Sequence, residues 1–136
     1  MAEPAQLRDM MPFARRLGIE IDEATAERVS GRLEWSPDLC TAGGLLHGGA
    51  LMTLADSLGG VCAYLNLPAG CTTATISSTT HMMRPVRDGQ VIAETRPLNV
   101  GRSVIVVQTD VRDDSARLVA QVTQTQAVLA AAGSAT

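Results

Sequence analysis

Lysine is absent from this chain of 136 residues, and all eleven basic residues are arginine. Schiff-base chemistry, pyridoxal phosphate catalysis and a Walker P-loop each need a lysine, so these classes are excluded. Cysteine is scarce: Cys40, Cys62 and Cys71 are odd in number and show no CxxC spacing. His47 and His81 are the only histidines, too few to complete a zinc set. The expectation is therefore no metal, no redox cofactor and no disulfide framework, which suits a reducing, cytoplasmic setting. No stretch approaches the ~20 uninterrupted apolar residues of a membrane span. The first two dozen positions carry charges throughout, unlike a secretory signal. With a net charge of −3 the chain has no general attraction for nucleic acid, and any anionic ligand must be held by local arginines.

The length suits one domain, 1–136, with no internal repeat and no linker. From Gln6 to Leu17, apolar Leu7, Met10, Met11, Phe13, Ala14 and Leu17 recur at helical spacing, predicting one amphipathic helix that ends near Gly18. Val29, Gly31, Leu33 and Trp35 alternate with polar residues and predict a strand with one wet face, which Ile19 to Ile21 would join as an earlier strand. After a glycine-bearing loop, an apolar segment from His47-Gly48-Gly49 to about Leu67 predicts the longest helix. Leu51, Leu54, Leu58, Val61 and Leu65 form its core stripe. Its back carries Gly49, Met52, Asp56, Gly59, Gly60 and Ala63, small residues that cost helix propensity and so predict close approach by another chain or an extended ligand.

Four further strands are expected, at about Thr72 to Met83, Gln90 to Leu98, Ser103 to Val111 and Arg117 to Leu129. The breaks Arg87-Asp88-Gly89, Asn99-Val100-Gly101 and Arg112-Asp113-Asp114-Ser115 are short enough for hairpins, and 130–136 is expected to fray. This order predicts an α+β fold in which a largely antiparallel sheet of five to six strands wraps one long helix buried all round.

The run Thr41-Ala42-Gly43-Gly44-Leu45-Leu46-His47-Gly48-Gly49, followed in the helix by Asp56, resembles the motif of the hotdog-fold thioesterases of the PaaI and 4-hydroxybenzoyl-CoA (Arthrobacter) type. The later His81-Met82-Met83-Arg84-Pro85-Val86-Arg87-Asp88-Gly89 is similar to that family's strand ending in Arg-Pro, and the resemblance spans about Gly18 to Leu129. It implies a hotdog fold, hydrolysis of an acyl-CoA whose acyl group is aromatic in part of the family, CoA as part of the substrate rather than a cofactor, and a homo-oligomer, a tetramer built of dimers. Relatives place a Ser or Thr near the carboxylate, here Thr75, and an Asn or Gln where this chain has Thr41. That departure is the one feature favouring the alternative of a noncatalytic acyl-CoA binding or scaffold protein of the same fold.

Elementary chemistry supports the same roles. The unpaired N–H of Gly48 at a helix start can polarise a thioester carbonyl, and Asp56 can act as general base or as nucleophile. His47 serves as an auxiliary; its structural alternative is a helix-start residue whose imidazole satisfies the preceding loop. Asp56, for its part, has the competing role of a buried carboxylate paired with an arginine or a backbone donor. By the resemblance Gly49 and Thr41 line the substrate side, a plain loop threonine being the alternative for Thr41, while Arg84, Arg87 and Arg102, at hairpin edges, are candidates for the CoA phosphates. Eight residues of helix separate Gly48 from Asp56, about 12 Å along the axis. One thioester carbonyl cannot touch both positions in one chain, so the pairing predicts a site shared between two subunits.

Overall fold

The computed structural model describes residues 3–130. Helices α1 (Pro4–Asp9) and α2 (Pro12–Leu17) lead into strands β1 (Glu20–Ala24) and β2 (Val29–Glu34). A 3-10 turn (Pro37–Leu39) and a loop precede the long helix α3 (Gly48–Leu65). Strands β3 (Cys71–Met82), β4 (Gln90–Val100), β5 (Val104–Arg112) and β6 (Leu118–Ala130) complete the chain. All neighbouring strands are antiparallel, in the order β1-β2-β4-β5-β6-β3. This is the α+β hotdog arrangement: a six-stranded sheet curled around one helix.

Period-two alternation in the strands supplies the bed for that helix. Val29 and Leu33 of β2, Val91 and Ala93 of β4, and Ile105, Val107 and Val111 of β5 point to one face and are almost wholly buried. Against them lie Leu51, Leu54, Leu58 and Val61 of α3, the expected core stripe. Leu54 and Leu58 are both 0 % exposed, so truncating either to alanine should cost about 2–5 kcal/mol. Gly31 of β2 is required by this contact: a β-carbon there would lie 2.6 Å from the Glu20 carbonyl oxygen and 3.0 Å from Leu58.

Four expectations need correction. The break Arg87-Asp88-Gly89 closes no hairpin, because β3 pairs with β6 while β4 lies between β2 and β5. The N-terminal helix is two helices, because Pro12 has no N–H to continue α1 and instead starts α2, where its fixed φ is favourable. Their amphipathicity is weak: Leu7 and Ala14 are buried, but Met10 and Phe13 are 66 % and 62 % exposed. Nor is α3 buried all round, since the sheet covers one side and leaves Met52 43 % and Tyr64 50 % exposed, with Asp56 exposed between them. Finally, Asn99 and Val100 belong to β4, and the hairpin turns at 101–103. Of the tail expected to fray, Ala130 ends β6 and 131–136 lie outside the described residues.

Two features of β3 position the site. Among the described residues it is an edge strand, paired only with β6, so its other side offers a row of free backbone groups. Its register slips at Ile76, between Thr75 and Ser77. Such a bulge reverses which residues face the helix, and both Thr75 before it and Met82 after it point towards α3.

Candidate active site

The loop before α3 is anchored at several points. Trp35 Nε1 donates to the Gly44 carbonyl at 3.0 Å, Thr41 N–H to Leu45 O at 2.8 Å, Leu46 N–H to Val86 O at 2.8 Å and His47 N–H to Leu39 O at 2.8 Å. His47 is the N-cap of α3, and its Nδ1 accepts the Gly49 N–H at 2.7 Å. An imidazole accepting at Nδ1 carries its proton on Nε2, which leaves an exposed donor at the mouth of the loop. The Gly49 N–H is thus spent inside the protein. The Gly48 N–H is not: at the first helical position it has no partner within the helix, and none elsewhere among the described residues.

Gly48 opens into a cleft of about 320 Å³ that also includes Thr41, Leu51, Met82 and Arg84. The structure therefore brings Arg84, far along the chain, to line one cleft with Thr41 and Gly48. Met82 folds over Gly48 so closely that a β-carbon there would lie 2.7 Å from its Cε and 2.8 Å from its Sδ. Glycine keeps this approach open.

Asp56 sits in a separate cluster. Its Oδ1 accepts Gln124 Nε2 at 2.7 Å and the Thr75 hydroxyl at 3.2 Å. Its Oδ2 makes no hydrogen bond, and no arginine pairs with it, among the described residues. Thr75 Oγ1 in turn receives Gln126 Nε2 at 2.9 Å. The competing role for Asp56, a buried carboxylate paired with an arginine, does not describe this exposed group.

Sequence reasoning missed Gln124 and Gln126, which are 0 % and 1 % exposed. A signal was available: in β6 they share the parity of Ala120 and Val122, the buried face, and a polar residue on an apolar face is the informative kind.

The three arginines do not converge within one chain. Arg84 and Arg87 border a second cleft of about 450 Å³, along with Asp113, Asp114 and Arg117. Arg102 lies in the β4–β5 turn, next to the residues that pair with the start of β3, so it sits at the other end of that 12-residue strand, about 35 Å away. None of the three forms an ion pair among the described residues. Burial pushes the Cys62 thiol up to about 11, which makes it a poor nucleophile. Among the described residues there is no group of three or more His, Cys, Asp or Glu able to hold a metal ion. Nor, among the described residues, is any helix long and apolar enough to cross a membrane.

Comparison with known proteins places this geometry in context. The model of the thioesterase superfamily matches residues 43–120, more than half of the chain. A crystal structure of a thioesterase from Haemophilus influenzae superposes with a TM-score of 0.92 at 26% identity, over 100% of this chain and 96% of that one. The 1,4-dihydroxy-2-naphthoyl-CoA hydrolase of Escherichia coli is 34% identical over 86 residues, 63% of each chain. The proofreading thioesterase EntH of Klebsiella pneumoniae is 41% identical over 75 residues, 54% of each.

Proposed function

Because the chain belongs to the thioesterase superfamily, we propose that it is an acyl-CoA thioesterase whose active site combines Gly48 of one subunit with Asp56 of another. One observation carries the reading: α3 bears a free N–H at its start and, eight residues on, a carboxylate with one free oxygen. An N–H donor for the oxyanion and a base or nucleophile are what thioester hydrolysis needs. As a base, Asp56 Oδ2 takes a proton from water while the water oxygen bonds to the carbonyl carbon. The oxyanion forms against the Gly48 N–H, the C–S bond then breaks, and the proton passes from Asp56 to the CoA thiolate. As a nucleophile, the same oxygen bonds to the carbon, expels the thiolate and leaves an anhydride that water hydrolyses. His47 Nε2–H and the Thr41 hydroxyl are further donors on the substrate side, Gly49 closes the helix start, and Thr75 braces Asp56.

The contacts of β3 support a definite dimer. Asp56 touches Thr75, and Gly48 touches Met82. If the free edges of two β3 strands pair antiparallel about Thr79, Ser78 lies opposite Thr80 of the partner subunit and Ser77 opposite His81 of the partner subunit. The slip at Ile76 then sets Thr75 opposite Met82 of the partner subunit, so cross-strand neighbours face the same side, as a sheet demands. This register brings Asp56 to Gly48 of the partner subunit. It also carries Arg102 of the partner subunit towards Arg84 and Arg87, making one phosphate-binding group from two chains. Pairing of two such dimers gives the tetramer. The acyl group is aromatic in this proposal, on the likeness to the naphthoyl-CoA hydrolase.

The test is thiol release, read with a disulfide reagent, from acetyl-, hexanoyl-, palmitoyl- and benzoyl-CoA. Asp56→Asn should keep the fold and lower kcat by roughly 10²-fold or more, because an amide neither takes the proton nor attacks. A folded variant with wild-type turnover would sink the assignment of Asp56.

A further inference from the structure

Gln124 presents an imbalance that packing alone does not account for. Its side chain is wholly buried, and Nε2 donates to Asp56 Oδ1 at 2.7 Å. Its Oε1 is equally buried and has no hydrogen-bond partner among the described residues. An orphaned buried carbonyl costs stability, and an apolar side chain of the same shape would avoid that cost. Turning the amide over would bring Oε1 against the carboxylate, so the charge on Asp56 dictates which end faces it. The helix makes a second concession to the same group, since a β-carbon at Gly59 would overlap Oε1. A glycine in mid-helix is itself unfavourable. Both costs are borne for an amide whose one hydrogen bond goes to Asp56.

We propose that Gln124 is a positioning residue that holds the Asp56 carboxylate by Oδ1 and so presents Oδ2 to the substrate. Thr75 completes the clamp. Its hydroxyl donates to the same Oδ1 at 3.2 Å while accepting Gln126 Nε2 at 2.9 Å. The hydroxyl has a second acceptor in Gln126 Oε1 at 3.2 Å, so Gln124, with no alternative partner among the described residues, is the firmer of the two arms. Two donors on one oxygen fix the rotation of the carboxylate, and an ionised acceptor strengthens both bonds. Oδ2 is then the atom that takes the proton from water or bonds to the thioester carbon. The inference rests on Asp56 being the catalytic carboxylate.

The experiment compares Gln124→Met, Asp56→Asn and the double variant as full-length oligomers, on the member of the acyl-CoA panel that turns over fastest. Methionine keeps the length and removes both amide atoms. Gln124→Met should lower kcat by about 10- to 100-fold with KM within about threefold, and its thermal midpoint should equal or exceed that of wild type. In the Asp56→Asn background the same change should produce no further loss, because the two groups act as one unit. Wild-type kcat in Gln124→Met, or an equal fractional loss in both backgrounds, would overturn the positioning role while leaving Asp56 intact. Full turnover in Asp56→Asn would instead overturn the reading beneath it. Should Gln124→Met fail to fold, Gly59→Ala pushes the amide aside from the other side. It should lower kcat about tenfold, and only where Asp56 is present; unchanged kcat overturns the inference.

Discussion

Mixing two inactive variants tests whether Gly48 and Asp56 of one site come from different chains. Gly48→Pro deletes the N–H, and the backbone is suited to it. Gly48 is the first residue of α3, where proline is favoured. His47 before it has φ −62 and ψ 135, the extended conformation a residue preceding proline must adopt. No hydrogen bond is lost, since that N–H has no partner among the described residues, and a β-carbon there would crowd the flexible tip of Met82. Removing one oxyanion donor costs about 10²- to 10³-fold in kcat, or roughly 2.7–4 kcal/mol of the barrier. Asp56→Ala removes the other group at a similar cost. In an equal, randomly exchanged mixture, a shared site is intact only if its Gly48 comes from the Asp56→Ala chain and its Asp56 from the Gly48→Pro chain. That holds for one site in four, so activity should return to about a quarter of wild type. Sites built within one chain would each keep a defect, and mixing would restore nothing. The assay is thiol release after co-refolding, with mixed oligomers confirmed by mass tagging. Mixed dimers that form normally yet stay inactive would refute the intersubunit site.

Two more predictions probe the assembly and the turn beside Arg84 and Arg87. Thr79→Cys should cross-link two subunits under mild oxidation, because a residue opposite itself in an antiparallel pair has its Cα atoms about 4.5–5.5 Å apart, within disulfide range. Ser77→Cys should not, as its two copies would be about 13 Å apart along the strands, and the opposite pattern on a non-reducing gel would reject the register. In the β5–β6 turn, the backbone N–H of Arg117 above all, with the Arg117 guanidinium and the Ser115 N–H, holds the Asp113 carboxyl below its ordinary 3.8. A carboxyl lowered on folding stabilises fully above its unfolded value and loses that contribution as pH falls through the folded one. Amide exchange at Ser115 and Arg117 should therefore be slower than in Asp113→Asn at neutral pH, with the gap closing on acidification below about 3.8; equal exchange at neutral pH would count against the turn's dependence on that charge.

The pattern of single residues settled much of this molecule in advance. Alternation from Val29 to Trp35 foretold a strand with one wet face, because a pleated strand sends alternate side chains to opposite faces whatever its partners. Leu51, Leu54, Leu58 and Val61 foretold the packed face of α3 for the same kind of reason, the 3.6-residue period. The candidate groups on that helix, His47, Gly48 and Asp56, were legible too, since a helix start and its N–H donors are local features.

Long-range register decided the rest. That Gln124 braces Asp56 directly and Gln126 does so through Thr75 depends on β6 lying between β5 and β3, and that Met82 turns inward over Gly48 depends on a one-residue slip at Ile76. No local spacing encodes such pairings between residues 51 and 68 positions apart. The separation of Arg102 from Arg84 and Arg87 has the same origin. In sequence all three are turn arginines, but only the antiparallel order of the strands sends one turn to the far end of the sheet. Periodicity reports how a residue faces within its own element; which elements meet, and in what register, follows from burying all those faces at once.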